Sequence, residues 1–199
     1  MLNLGKGYKV YEPERLNEEY EVTDAVSLKA NVGVEKMLDV FRHFIAMHKE
    51  PLFFILELPV ARDRETPVAP GILKEAHKNV YYIDGCTQEK CLMLLESYGE
   101  LLINDGMSQF GFGGHESQDE ILLGKYNVVT VYSKQLSKYH DFFEAHGIAK
   151  AEKIVTAWDT FTRDTPGQAE RRDYAGKSVY DLPEELKNAG LYLADTRTE

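Results

Sequence analysis

The chain has 199 residues, of which 33 are acidic and 23 are Lys or Arg, so its formal charge at neutral pH is -10. Its 43% hydrophobic and 28% charged residues are typical of a folded globular protein and exclude collagen-like and intrinsically disordered chains. At about 150 residues per domain, this length favours a single domain spanning residues 1–199.

The acidic residues are spread along the whole chain rather than gathered in a tail. Nucleic-acid binding needs clustered Lys and Arg that displace counterions from phosphates, and the sequence has no such block. We therefore expect neither nucleic acid nor an anionic membrane as a partner. An even acidic surface serves solubility or, more specifically, attracts a basic protein.

The N-terminus alternates Lys6, Lys9 and Glu12 with short apolar pieces, which is not the pattern of an export signal. The longest apolar runs, 52–56 and 91–95, have five residues each, whereas a membrane span needs about 20. These features predict a cytoplasmic protein, in which Cys86 and Cys91 remain thiols.

Apolar residues at the helical period predict four helices, at 34–49, 87–104, 134–146 and 182–189. Thr87 and Ser133 are the expected N-caps of the second and third helices. Glycines follow the last three predicted helices, and we expect Gly106 to end the second one in a left-handed turn.

Runs of β-branched and aromatic residues predict strands at 53–60, 80–83, 108–113, 120–124, 128–133 and 153–158, with weaker signals at 8–11 and 191–194. Three closely spaced strands between 108 and 133 predict an antiparallel meander. The predicted fold is therefore α+β, a mostly antiparallel sheet with about four helices packed mainly on one face.

Three stretches look irregular: an acidic N-terminal arm at 12–31, residues 61–71, and a long polar loop at 162–178. Loops of more than about 12–15 residues are uncommon and tend to be functional or disordered, so 162–178 is a candidate contact loop, with simple surface mobility as the plainer interpretation. The loop and the residues before it supply the candidate binding residues Trp158, Arg163, Arg171, Arg172 and Tyr174. Trp158 reads either as a contact anchor or as a core aromatic that closes the sheet.

The segment 110–120, FGFGGHESQDE, contains the densest group of potentially catalytic side chains. His115, Glu116, Asp119 and Glu120 are the residue types that perform acid–base catalysis or bind a divalent ion. The simpler interpretation is a glycine-rich hairpin with a solvated acidic tip, because the segment matches no motif with a known mechanism. No metal site and no cofactor is predicted.

Glu57 interrupts the apolar run 53–60, which indicates either a solvent-exposed strand face or a buried carboxylate. The exposed face is the simpler interpretation.

The sequence favours an intracellular, non-enzymatic protein-binding module, for example an inhibitor or immunity-like protein that masks a basic partner. The alternative is a small hydrolase or metal-dependent enzyme that uses His115, Glu116 and Asp119, and a structural accessory role is a third interpretation. The oligomeric state is not predicted.

Overall fold

The computed structural model describes residues 1–60, 67–69, 72–73 and 76–198. Within these residues the α-helices are α1 (Val34–Met47), α2 (Gln88–Asn104), α3 (Lys138–Ala145) and α4 (Leu182–Glu185). All four predicted helices are present, although α3 and α4 are shorter than predicted. No helix in this part of the chain is long and apolar enough to cross a membrane.

The strands of the described residues are β1 (Tyr8–Lys9), β2 (Glu19–Val22), β3 (Ser27–Asn31), β4 (Leu52–Pro59), β5 (Pro67–Ala69), β6 (Ile72–Leu73), β7 (His77–Cys86), β8 (Gln109–Gly114), β9 (Glu120–Leu123), β10 (Val128–Tyr132), β11 (Ala149–Lys150), β12 (Gln168–Ala169) and β13 (Tyr192–Thr198).

Nine of these strands form one sheet in the order β11-β2-β3-β10-β9-β8-β4-β7-β13. Strand β11 runs parallel to β2, and all other neighbours in the sheet are antiparallel. The predicted α+β fold and the meander β8–β9–β10 are confirmed. Strands β1 and β12 pair separately, as do β5 and β6.

The helices α1, α2 and α3 cover one face of this sheet. Val129 and Val131 of β10 point into the core with the apolar residues of these helices, whereas Tyr132 of the same strand is 46% exposed. Phe41 of α1 stacks on Phe110 of β8 with ring centroids 4.9 Å apart. Alternate side chains along each strand therefore separate a helix-covered face from an opposite face, which we call the open face.

The prediction of an irregular arm at 12–31 is wrong, because this segment contributes β2 and β3 to the sheet. Its acidic residues obscured an apolar alternation in which Tyr20, Leu28 and Ala30 are fully buried. The many carboxylates occupy the exposed and half-exposed positions between them.

The strand predicted at 153–158 is absent, because side chains satisfy this segment's backbone groups in place of a neighbouring strand. The Ile154 N–H donates to Glu21 Oε2 at 2.8 Å, and the Val155 carbonyl accepts from Asn31 at 2.8 Å.

The polar loop 162–178 is mostly irregular, as predicted, apart from β12 and a bridge between Tyr174 and Lys177. Most of the segment predicted at 61–71 lies outside the described residues.

The ends of the helices differ in how well the sequence predicts them. The Thr87 hydroxyl accepts the Lys90 N–H at 3.1 Å, which confirms the N-cap of α2. Ser133 is not the N-cap of α3, because that helix begins at Lys138. Gly106 does not adopt the expected left-handed turn. The chain leaves α2 through a turn in which the Asp105 carboxylate accepts the N–H groups of Met107 and Ser108, at 2.8 and 2.7 Å.

We predict that Thr87→Ala lowers the free energy of unfolding by about 1 kcal/mol, because it leaves an N–H at the start of α2 without its acceptor. Urea denaturation followed by circular dichroism measures this change. Thr87→Ser keeps the hydroxyl and serves as the control. An unchanged midpoint for Thr87→Ala would show that the cap does not stabilise the fold.

Candidate functional site

The open face carries a lateral row of side chains across the middle of the sheet. Tyr132 of β10 pairs with Glu120 of β9, Glu120 pairs with Gly113 of β8, and Gly113 pairs with Phe53 of β4. Directly paired residues on antiparallel strands point to the same side of a sheet. These four residues, which we call the Glu120 row, therefore face one way, toward the side that the three long helices leave open.

Gly113 determines the shape of this row. A Cβ atom at position 113 would lie only 2.1 Å from Cζ of Phe53, so the Phe53 ring occupies the space above the glycine. The ring thereby lies over the strand next to Glu120 and also packs against Tyr82 and His115, with centroid distances of 5.7 and 5.2 Å. Only a glycine allows this arrangement, because any side chain would displace the ring.

The Glu120 carboxylate is half-buried and has no hydrogen bond or ion pair with any residue that the structure describes. Burial raises the pKa of Glu120, the negative charge of Glu57 raises it further, and Arg197 opposes both. Burial first and the charge of Glu120 second also raise the pKa of Tyr82 and Tyr132. A carboxylate in such a position is stabilised by any cation that reaches it.

A groove of about 670 Å³ lies on the same face, beside the Glu120 row. Its floor comes from β2, β3, β10 and the start of β8, and its wall is the segment 153–159. We call it the open-face groove; its lining includes Lys29, Gln109, Thr130, Lys153, Thr156 and Trp158. Lys29 pairs with Thr130 across the sheet, which places its ammonium group on the open face.

The structure brings part of the predicted catalytic group together, but not its histidine. His115 is 43% exposed and its Nε2 lies 3.3 Å from Oδ1 of Asp84. Glu116 is exposed, Asp119 is buried, and Glu120 belongs to the row described above. Glu116 and Asp119 line one cavity of about 280 Å³ together with Lys134 and Lys138, whereas His115 and Glu120 are not part of its lining. The histidine and the two carboxylates of the predicted cluster therefore do not converge on one ligand.

Asp119 instead joins a buried network that links the β8–β9 hairpin to α1 and α3. His48 Nε2 and the Tyr139 hydroxyl each lie 2.9 Å from Oδ2 of Asp119, and Lys138 forms an ion pair with the same oxygen. Burial alone would raise the pKa of Asp119, but hydrogen bonds from His48, Lys138, Ser133 and Tyr139 outweigh it and hold that pKa well below its usual range.

The hydrogen bonds of His48 show that this network is structural. Nδ1 lies 2.7 Å from the Phe44 carbonyl oxygen, which only accepts, and Nε2 faces the carboxylate of Asp119. Both ring nitrogens therefore face oxygen atoms of the protein interior. General base catalysis requires a ring nitrogen that faces the substrate, and both nitrogens of His48 are already occupied.

The five candidate binding residues do not form one patch. Trp158 lines the open-face groove and is 54% exposed. Arg171 and Arg172 form ion pairs with carboxylates of their own loop, at 3.3 and 3.0 Å. Arg163 and Tyr174 are exposed elsewhere on the loop 162–178. Of the five, Trp158 is the residue that shares a cavity with cations of the sheet.

Two further expectations concern single positions. Glu57 is 5% exposed and its carboxylate lies 2.5 Å from the ammonium group of Lys78, so the simpler interpretation of a solvent-exposed position is wrong. Cys86 and Cys91 are buried thiols. Among the described residues, no three His, Cys, Asp or Glu side chains are grouped so that they could hold a metal ion.

No protein-family model, curated protein or solved structure matches this chain.

Four residues of the two open-face sites, Phe53, Tyr132, Lys29 and Lys153, are not predicted as site residues by the sequence. The signal for the first three is the alternation of apolar with polar or aromatic residues along their strands. That alternation shows which residues share a face, but the lateral neighbours depend on strand order and register.

We predict that Asp119→Asn lowers the free energy of unfolding at neutral pH by about 3 kcal/mol, because it leaves buried donors without their anionic acceptor. Urea denaturation measures this loss. The control is Asp164→Asn, which removes an exposed carboxylate of the polar loop and should change the free energy of unfolding little.

The same pair of variants tests the pH dependence. The pKa of Asp119 is lower in the folded than in the unfolded state, so its stabilising contribution is complete above about pH 4 and is lost on further acidification. Between about pH 4 and pH 3, wild type should lose about 1 kcal/mol more than Asp119→Asn. Parallel pH profiles for the two proteins would contradict this account.

Proposed function

We propose that this protein is an intracellular, non-enzymatic binding module that recognises a basic protein, in the manner of an inhibitor or immunity protein. The observation that carries the proposal is the half-buried Glu120 carboxylate, which lies between aromatic residues without a partner among the described residues. A Lys or Arg side chain of a partner would supply the missing cation.

The neighbours of Glu120 suit a cationic side chain. Tyr132 lies directly across the strand pair on one side, and the Phe53 ring covers Gly113 on the other. A cation between them meets aromatic surface as well as the carboxylate, and cation–π contacts add about 0.5–2 kcal/mol. Tyrosine and phenylalanine are also enriched in the buried centres of protein interfaces.

The overall charge of -10 supports the same partner class. An acidic protein attracts a basic one over several ångströms and raises the rate at which the two meet. Attraction by net charge alone does not select a position on the surface. The Glu120 row supplies a specific position at which a basic side chain can bind. The expected complex therefore weakens with added salt but also depends on one particular carboxylate.

The hydrolase alternative required His115, Glu116 and Asp119 to act on a single substrate. Because His115 pairs with Asp84 while Asp119 belongs to a buried network, we do not propose that activity.

The test compares two variants that remove the same charge from different faces. Binding of a fluorescent arginine-rich peptide is measured by anisotropy for wild type, Glu120→Gln and Glu96→Gln, the last being an exposed carboxylate on α2. We expect Glu120→Gln to weaken binding about tenfold, which corresponds to about 1.4 kcal/mol. Glu96→Gln should stay close to wild type, and Tyr132→Leu should lose part of the affinity.

Equal weakening by Glu120→Gln and Glu96→Gln would mean that the peptide responds to net charge alone, and the proposed site would be wrong. A glutamate-rich peptide of the same length is the negative control. Affinity capture from a cell extract then uses wild type and Glu120→Gln as paired baits, and a physiological partner is a basic protein retained by the first and not by the second.

A further inference from the structure

Three lysines line the open-face groove, namely Lys29, Lys125 and Lys153, against two carboxylates, Glu21 and Asp159. Lys29 of β3 and Lys153 of the groove wall form no ion pair with any described residue. Unpaired lysines are ordinary on a basic surface, but this chain carries ten more acidic than basic side chains. Three lysines against two carboxylates give the groove lining a net positive charge, which makes it a local site for negative charge on an acidic protein.

The carboxylates that line the groove are already used by the backbone. Glu21 accepts the Ile154 N–H at 2.8 Å. Asp159 accepts the N–H and the hydroxyl of Thr156 at 2.8 and 2.7 Å, and these two hydrogen bonds lower the pKa of Asp159. Both carboxylates therefore have hydrogen-bond donors of their own but keep their negative charge. Glu21 pairs with Lys29 across β2 and β3, and the charge of Lys153 also lowers the pKa of Asp159. Since neither carboxylate forms an ion pair with these lysines, an incoming anion competes with them for the ammonium groups.

Trp158 adds an aromatic surface to the same groove. It is 54% exposed although its ring contacts Tyr126 and Phe161, with centroid distances of 4.9 and 5.4 Å. These contacts hold the indole in place while half of its surface stays open. A large aromatic side chain that is fixed yet exposed beside a cavity is well suited to contact the ring of a ligand.

Hydrogen bonds also fix the shape of the groove. The hydrogen bonds from Ile154 to Glu21 and from Asn31 to the Val155 carbonyl tie the wall to the strands of the floor. Its volume of about 670 Å³ lies within the range of about 300–1,000 Å³ that is usual for small-molecule sites. A ligand would thus enter a site that needs little rearrangement.

We propose that the open-face groove binds a small aromatic anion, whose acidic group contacts Lys29 and Lys153 and whose ring contacts Trp158. The acidic group is a phosphate or a carboxylate, since an ammonium group accepts either. This site is independent of the cation site at Glu120, and it requires a ligand of opposite charge.

Calorimetry with four probes tests the proposal: phenyl phosphate, phenylacetate, benzyl alcohol and inorganic phosphate. We expect the two aromatic anions to bind at least about tenfold more tightly than the neutral ring or the ringless anion. The tighter of the two identifies the acidic group. Trp158 is the single tryptophan of the chain, so its fluorescence reports binding at the groove itself.

Substitutions then locate the site. Lys29→Gln and Lys153→Gln should each weaken the preferred aromatic anion about tenfold, while Lys29→Arg keeps the charge and most of the affinity. Lys49→Gln removes an exposed lysine beyond the groove and is the matched control. Glu120→Gln should leave anion binding unchanged, which separates this result from that of the peptide experiment.

Two outcomes would overturn the proposal. One is that neither aromatic anion binds at millimolar concentration. The other is that the Lys29→Gln, Lys153→Gln double variant binds as tightly as Lys49→Gln. Both lysines are exposed and outside the core, so a near-ultraviolet dichroism spectrum like that of wild type is expected and confirms that the variants fold.

Discussion

The register between β8 and its two neighbours is the constraint on which both faces of the sheet depend. Phe112 pairs with Phe54 and Ile121 on the helix-covered face, where all three are buried. The next residue, Gly113, then falls between Phe53 and Glu120 on the open face. A shift of one residue would exchange the two faces and expose Phe112 to solvent. Burial of the core thus sets the geometry of the Glu120 row.

Two sites of opposite charge follow from this arrangement, and they lie on the same face. Glu120 is beside Tyr132, while Lys29 pairs with Thr130 two residues earlier on β10. Strand β10 separates the acidic from the basic residue, and no ion pair joins them. Since neither charge neutralises the other, each is left to attract a ligand of the opposite sign.

The helical layer and the central strands are predictable from the sequence because burial imposes a clear period on them. Helix α2, for example, has an apolar stripe and a capping threonine at its start. Strands β2 and β3 are hard to predict because each places charged residues between its buried ones, and these charges mask the apolar alternation. The opposite error occurs at 153–158, where the residue types predict a strand that does not form. The backbone of this segment bonds instead to the side chains of Glu21 and Asn31.

For the candidate sites, the sequence predicts the secondary structure of the residues but not which side chains lie next to each other across the sheet. The sequence identified Glu120 but associated it with His115 and Asp119, which are close to it along the chain. In the fold its neighbours are Phe53 and Tyr132, which come from other strands. Two residues that are consecutive along a strand place their side chains on opposite sides of the sheet, so neighbours in the sequence do not share a site there.

Asp119 and Glu120 illustrate how that separation serves the open face. Asp119 points toward the helices, where His48, which directly follows α1, and Tyr139 of α3 hold its carboxylate. The following residue begins β9 and points the other way. Because Asp119 is bound from two helices at once, the start of β9 cannot slide relative to them without breaking buried hydrogen bonds. Asp119, which the sequence placed in a catalytic cluster, therefore fixes the strand position at which the next residue, Glu120, lies between Phe53 and Tyr132.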